Sequence, residues 1–216
     1  MRRRVSLRVT VVGFFLAVAL VAFDGSHVAA SVWNTCSEMI DLGTLGGTSS
    51  SGAAINSRGK VTGTAETVDG EMHAFLWTHG KMTDLGILPG MPPSGGQAIN
   101  QRGEVAGTSG MRFARAFLWV RGELSGLRPL ETGDFSSATA INERGDVAGV
   151  SRVNRFFVRA TVWIDGLPVD LGTLGGVQSA ALAINNRGWV TGWSNTSTSN
   201  RAFLWCREAD VIDGDQ

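Results

Sequence analysis

Past residue 30, apolar and polar positions alternate in short extended runs, and nowhere do apolar residues recur at helical spacing over helical length. The runs follow one order, four times over. "AINSRGKVTGTA" (54–65) returns as "AINQRGEVAGTS", "AINERGDVAGVS" and "AINNRGWVTGWS". Aligning Ile55, Ile99, Ile141 and Ile184 gives spacings of 44, 42 and 43 residues. Val61, Val105, Val147 and Val190 keep step, as do Gly63, Gly107, Gly149 and Gly192. "AFLW" fills 74–77, 116–119 and 202–205, with "ATVW" in the same slot at 160–163. "DLGTLGG" stands at 41–47 and 170–176, "DLGILPG" at 84–90, and a degenerate "GLRPL" at 126–130.

Each repeat predicts four short strands. The first is rich in small residues, as in "SATAIN" (137–142), and the second reads Val-x-Gly-x-Ser. The third, "AFLW", is apolar on both faces and expected to be buried on both. The fourth, "KMTDLG"-like, follows a short "THG" or "VRG" turn. Between strands one and two, Asn-x-Arg-Gly suits a hairpin in which Asn bonds the turn backbone and Gly takes a positive φ. The second fixed glycine lies inside a strand and marks a bulge or a close backbone approach. "TSSSG" (48–52) reads as a polar link.

A period near 43 with four strands per unit predicts an all-β fold, a four-repeat β-propeller-like array of four-stranded antiparallel blades. A closed four-blade ring is one arrangement and an open array that pairs with another chain the other. The repeats span about 41–83, 84–125, 126–169 and 170–213 within a domain of 31–216. Trp77, Trp119, Trp163 and Trp205 are expected core anchors between blades.

These motifs resemble the HAF-repeat family of bacterial extracellular proteins. The name motif is matched by His73-Ala74-Phe75, and the resemblance covers residues 39–205. It implies export and repeated β-structure, and no established activity. The chain departs from the family pattern where Arg115, Arg159 and Arg201 replace the histidine in later copies.

Composition changes the picture in two places. The chain of 216 residues carries 19 basic and 19 acidic residues, so nothing argues for nucleic acid as partner. "MRRR" followed by the uncharged run Val9–Phe23 and "HVAAS" reads as a signal peptide over residues 1–30, cleaved after about Ala30. The expected location is secreted or cell envelope, with no membrane span after cleavage. An uncleaved anchor is disfavoured by the short run.

Candidate chemistry is sparse. "CSEMIDLG" (36–43) aligns with "HGKMTDLG" (79–86), so the first strand of the mature chain is expected to act as a strap that completes the last blade. Cys36 and Cys206 would then lie in neighbouring columns, within disulfide reach; two unrelated thiols are the alternative. Arg58, Arg102, Arg144 and Arg187 occupy equivalent hairpins and form either a crown for an anionic glycan or an idle solvated rim. Trp189 and Trp193 stand where the other copies carry Lys60, Glu104 and Asp146, and Thr64, Thr108 and Val150. They share one face of a strand, about 13 Å apart, and either stack on sugar or a partner protein or pack beneath the C-terminal tail. No metal-ligand or nucleophile pattern stands out, and no cofactor is called for. The expectation is an exported, non-enzymatic repeat protein with a binding or scaffolding surface for a glycan or cell-surface polymer. A carbohydrate-active enzyme on the same scaffold is the alternative.

Overall fold

Each repeat folds into an antiparallel sheet whose strands follow the sequence columns. The computed structural model describes residues 38–131 and 133–207. The expected signal peptide, Cys36 and the last nine residues lie outside them. Sheet 1 holds β1 (Gly46–Ile55), β2 (Val61–Thr67), β3 (Met72–Thr78) and β4 (Lys81–Gly86). Sheet 2 holds β5 (Ser94–Ile99), β6 (Val105–Ser109), β7 (Arg115–Val120) and β8 (Glu123–Gly126). Sheet 3 holds β9 (Ser136–Ile141), β10 (Val147–Arg152), β11 (Val158–Ile164) and β12 (Leu167–Asp170). Sheet 4 holds β13 (Ser179–Ile184), β14 (Val190–Asn195) and β15 (Asn200–Trp205). Within each sheet the strands lie in chain order, so every neighbour is joined by a hairpin. The result is an all-β, propeller-like array, in a unit that begins at Leu42.

Turn chemistry explains the registers. Gly59, Gly103, Gly145 and Gly188 have φ of 71°, 84°, 90° and 85°, so only glycine fits the first hairpin without strain. His79-Gly80, Arg121-Gly122 and Asp165-Gly166 place two successive residues at positive φ, the signature of type I′ hairpins between strands three and four. The glycine inside each second strand answers to crowding: a Cβ on Gly149 would overlap the Ser137 carbonyl oxygen, and one on Gly63 the Ser51 carbonyl oxygen. Each sits beside a register shift between strands one and two.

The core lies between sheets. Ala74 and Leu76 of sheet 1 pack with Val105 and Phe117 of sheet 2, roofed by Leu85 at the end of β4 and Leu88 of the connecting segment. Ala106 and Ala116 meet Ala138, Val147 and Trp163 in the second junction. Ala148, Ala160 and Val162 meet Ala181 and Val190 in the third. Three tryptophans of the column lie between sheets as expected: Trp163 is 1% exposed, and Trp119 and Trp205 are half-buried. Trp77 is buried within sheet 1, against Leu42 and Leu45.

Four expectations change. β4, β8 and β12 straddle the sequence-repeat boundaries, so each sheet starts at the small-residue strand and ends at the Asp-Leu-Gly segment. Residues 48–52 belong to β1; Glu66 holds the Thr48 N–H and hydroxyl at 2.8 and 2.6 Å, which keeps this polar stretch extended. The third strand is buried in β3 and β11 but exposed in β15, because no sheet follows sheet 4 among the described residues. The strap is absent from the described residues: Glu38–Ile40 form no strand, Met39 is fully exposed, and β15 ends its sheet. Leu42 and Leu45 pack on sheet 1 as Leu85 and Leu88 pack on sheet 2. The segment therefore enters a sheet instead of finishing one.

Candidate binding surface

The first hairpin of each sheet is built around its asparagine. Asn56 Oδ1 accepts from Arg58 N–H and Lys60 N–H, both at 3.0 Å, and Asn142 and Asn185 repeat the pattern with Arg144 and Asp146, and with Arg187 and Trp189. The amide nitrogen does something the sequence did not disclose. Asn56 Nδ2 donates to the Asn100 carbonyl at 2.9 Å, Asn100 Nδ2 to the Asn142 carbonyl at 3.1 Å, and Asn142 Nδ2 to the Asn185 carbonyl at 3.1 Å. One residue on, Ser57 N–H donates to Gln101, Gln101 N–H to Glu143, and Glu143 N–H to Asn186. Two hydrogen-bonded ladders thus fix the spacing of the four hairpins.

Those ladders carry the arginine column in a row, and the residue two places on sets the charge of each member. Arg102 pairs with Glu104 at 2.6 Å and Arg144 with Asp146 at 2.9 Å. Arg187 lies over the Trp189 ring, 5.4 Å from its centroid. Arg58 has Lys60 in that position, so the two middle hairpins are internally neutralised and the first is doubly cationic. These second side chains lean forward: a Cβ on Gly103 would meet Lys60 Nζ at 2.8 Å, and one on Gly145 would meet Glu104 Oε2 at 3.4 Å.

Positive charge therefore concentrates between sheets 1 and 2. A cleft of about 370 Å³ is lined there by Arg58, Lys60, Arg102 and Arg121, with Glu104 as its acid and Leu76 and Trp119 as apolar walls. A larger cleft of about 500 Å³ between sheets 2 and 3 holds Arg115, Arg128 and Glu131 beside Pro129 and Pro168. It is less cationic and has no aromatic wall. Nothing in the sequence singles out Arg121; Trp119, expected as a core anchor, is half-buried because it also lines the cleft.

Trp189 and Trp193 fall on the side of sheet 4 that, in the other sheets, faces the next sheet. Thr64 of the same column points at Gly95, and the Thr108 hydroxyl lies 2.8 Å from that of Ser137. Both tryptophans are half-buried, and Trp189 Nε1 is buried without a hydrogen-bond partner. They lie apart from the basic cleft. Cys206 is half-buried just past β15, and its expected partner Cys36 lies outside the described residues. His73 Nδ1 meets the Asp84 carboxylate at 2.9 Å, and Arg159 meets the equivalent Asp170 at 3.8 Å. Arginine in place of histidine in that copy thus still sets a side-chain nitrogen against the fourth-strand carboxylate. Glu66 is held below the ordinary carboxylate range, first by the Thr48 hydroxyl and then by the Thr48 N–H.

Fold and surface together define a propeller-like array of antiparallel sheets with a basic cleft at one hairpin edge. No family model and no curated protein matches the chain. Among solved structures it is similar to TolB from Acinetobacter baumannii, at 12% identity and a TM-score of 0.48, over 68% of this chain and 38% of that one. It is also similar to the β-propeller domain of the Trilobed protease from Pyrococcus furiosus, at 14% identity and a TM-score of 0.49, over 72% of this chain and 51% of that one. The chain thus spans about half or less of the length of these structures.

Proposed function

We propose that this chain is an exported, non-enzymatic repeat protein whose basic cleft binds an anionic polysaccharide. The observation that carries the reading is the pairing of four cationic side chains with one acid around the Trp119 ring. Cations attract carboxylate or sulfate groups, and an indole face packs on a sugar ring. Export is supported by the N-terminal sequence, and the motifs that carry the HAF-repeat resemblance include the Ala-Ile-Asn segment whose asparagine builds the first ladder.

Isothermal titration with polygalacturonate as ligand and neutral dextran as control tests the proposal. Polygalacturonate binding should weaken steeply as salt is raised. The Arg58→Ala, Lys60→Ala double variant should lose most of it while melting like wild type. Equal binding of dextran, or unchanged affinity in the double variant, refutes the reading.

A further inference from the structure

Three sheet-to-sheet junctions repeat one set of contacts, and both ends of the array carry half of a fourth set. In each internal junction, a serine at the start of the first strand of one sheet accepts from the backbone N–H of the third-strand alanine in the sheet before. Ala74 N–H donates to Ser94 at 2.8 Å, Ala116 N–H to Ser136 at 3.0 Å, and Ala160 N–H to Ser179 at 2.9 Å. The same serines are 1–3% exposed. The next pair in this series is Ala202 and Ser50, both exposed. Ser50 already donates its hydroxyl to the Gly43 carbonyl at 2.7 Å, as Ser179 does to Gly172 at 2.6 Å, which leaves its oxygen free to accept.

The asparagine ladder stops in the same way. It runs from Asn56 to Asn185; among the described residues Asn185 Nδ2 has no acceptor and the Asn56 carbonyl receives only the Gly59 N–H. The apolar columns agree. Leu76 and Val162 are 7% and 1% exposed inside junctions; Leu204, in the same column at the end, is 61% exposed. At the other end Ile55 is 69% exposed, whereas Ile99, Ile141 and Ile184 pack against the junction clusters. Leu42 and Leu45 already roof the outer strands of sheet 1, as Leu85 and Leu88 do inside, so what stays open there is β1.

We infer that the open face of sheet 4 docks on β1 of a second copy of this chain, head to tail, reproducing the internal junction. Donor meets acceptor at Ala202 and Ser50 and at Asn185 and Asn56, and Leu204 covers the partner sheet beside Ile55. The indole of Trp189 takes the forward-leaning place that Lys60 and Glu104 hold inside, over the glycine of the next hairpin. The contact is heterologous, because the two surfaces differ; each chain keeps one of each, and two chains meeting at both ends close a ring of eight sheets.

Sedimentation equilibrium of the protein purified from cells expressing the full chain tests this. Wild type should associate reversibly to at least twice the chain mass. Leu204→Glu and Ile55→Glu, each at an exposed site, should fold, melt near wild type when dilute, and sediment as monomers when pure. Mixed in equal amounts they should form a heterodimer of one junction, since each supplies the surface the other has lost. A monomeric wild type at high concentration overturns the inference, as would be the case if a terminal segment covered these faces. Self-association by either pure variant, or a mixture that stays monomeric, overturns it equally.

Discussion

Asn56→Asp and Asn185→Asp make one chemical change at the two ends of one ladder. Both side chains accept from two backbone N–H groups through Oδ1, and aspartate keeps those contacts. The change falls on the other atom. At position 56, which is 7% exposed, an oxygen replaces the nitrogen that donates to the Asn100 carbonyl at 2.9 Å. Losing that bond removes about 1 kcal/mol, and leaving two acceptors face to face with little water adds about 1–2 kcal/mol. At position 185 the side chain is exposed and its nitrogen has no acceptor among the described residues, so the cost is near zero. For a chain of this size about 1 kcal/mol moves Tm by roughly 2–4 °C, which puts Asn56→Asp about 4–12 °C below Asn185→Asp. Thermal melts followed by circular dichroism, on protein dilute enough to keep chains apart, make the comparison. Acidification should narrow the gap: the charged form is the one penalised at position 56, so its pKa rises, and the protonated acid can donate to Asn100. Equal melting temperatures for the two variants at neutral pH would refute the ladder as a source of stability.

Two further outcomes follow from local geometry. Gly149→Ala forces a Cβ into the Ser137 carbonyl and should cost about 3 kcal/mol in urea unfolding, whereas Gly59→Ala meets open space at φ 71° and should cost only about 1 kcal/mol for the left-handed backbone. The depressed Glu66 carboxyl gives a pH dependence of definite sign. Its bonds to Thr48 contribute stability above the ordinary glutamate value, and that contribution is lost as pH falls through its lowered folded value. NMR titration of the Glu66 side chain should show a midpoint below that of free glutamate, and Thr48→Val should raise it.

The strands and turns were legible because they are set by neighbours in sequence. Alternation, the glycine of Asn-x-Arg-Gly and the two-residue turns act within a few positions, and β2, β3 and β4 fall where the columns put them. β1 was harder to read, because the extended state of 48–52 depends on Glu66, eighteen residues away. What one sheet does to the next was invisible. Asn Nδ2 acts across 42–44 residues and the serine column across 19–20, and nothing local separates a buried Ser94 from an exposed Ser50. Charged residues at Lys60, Glu104 and Asp146 carry no local sign of a packing role, yet these side chains lean on the following hairpin. The arginine row was visible, but its charge was not: ion pairs with Glu104 and Asp146 leave the cationic cleft at one end of it.

The central claim is a single junction used three times, with a fourth set of its groups left open. Amide exchange of the four third-strand alanines reads that claim directly, in protein labelled only at alanine nitrogen. Ala74, Ala116 and Ala160 should exchange slowly because a serine of the following sheet holds each N–H, and Ala202 should exchange fast in dilute protein and slow down on association. Uniform protection of all four in dilute monomer, or fast exchange at the three internal positions, would contradict it.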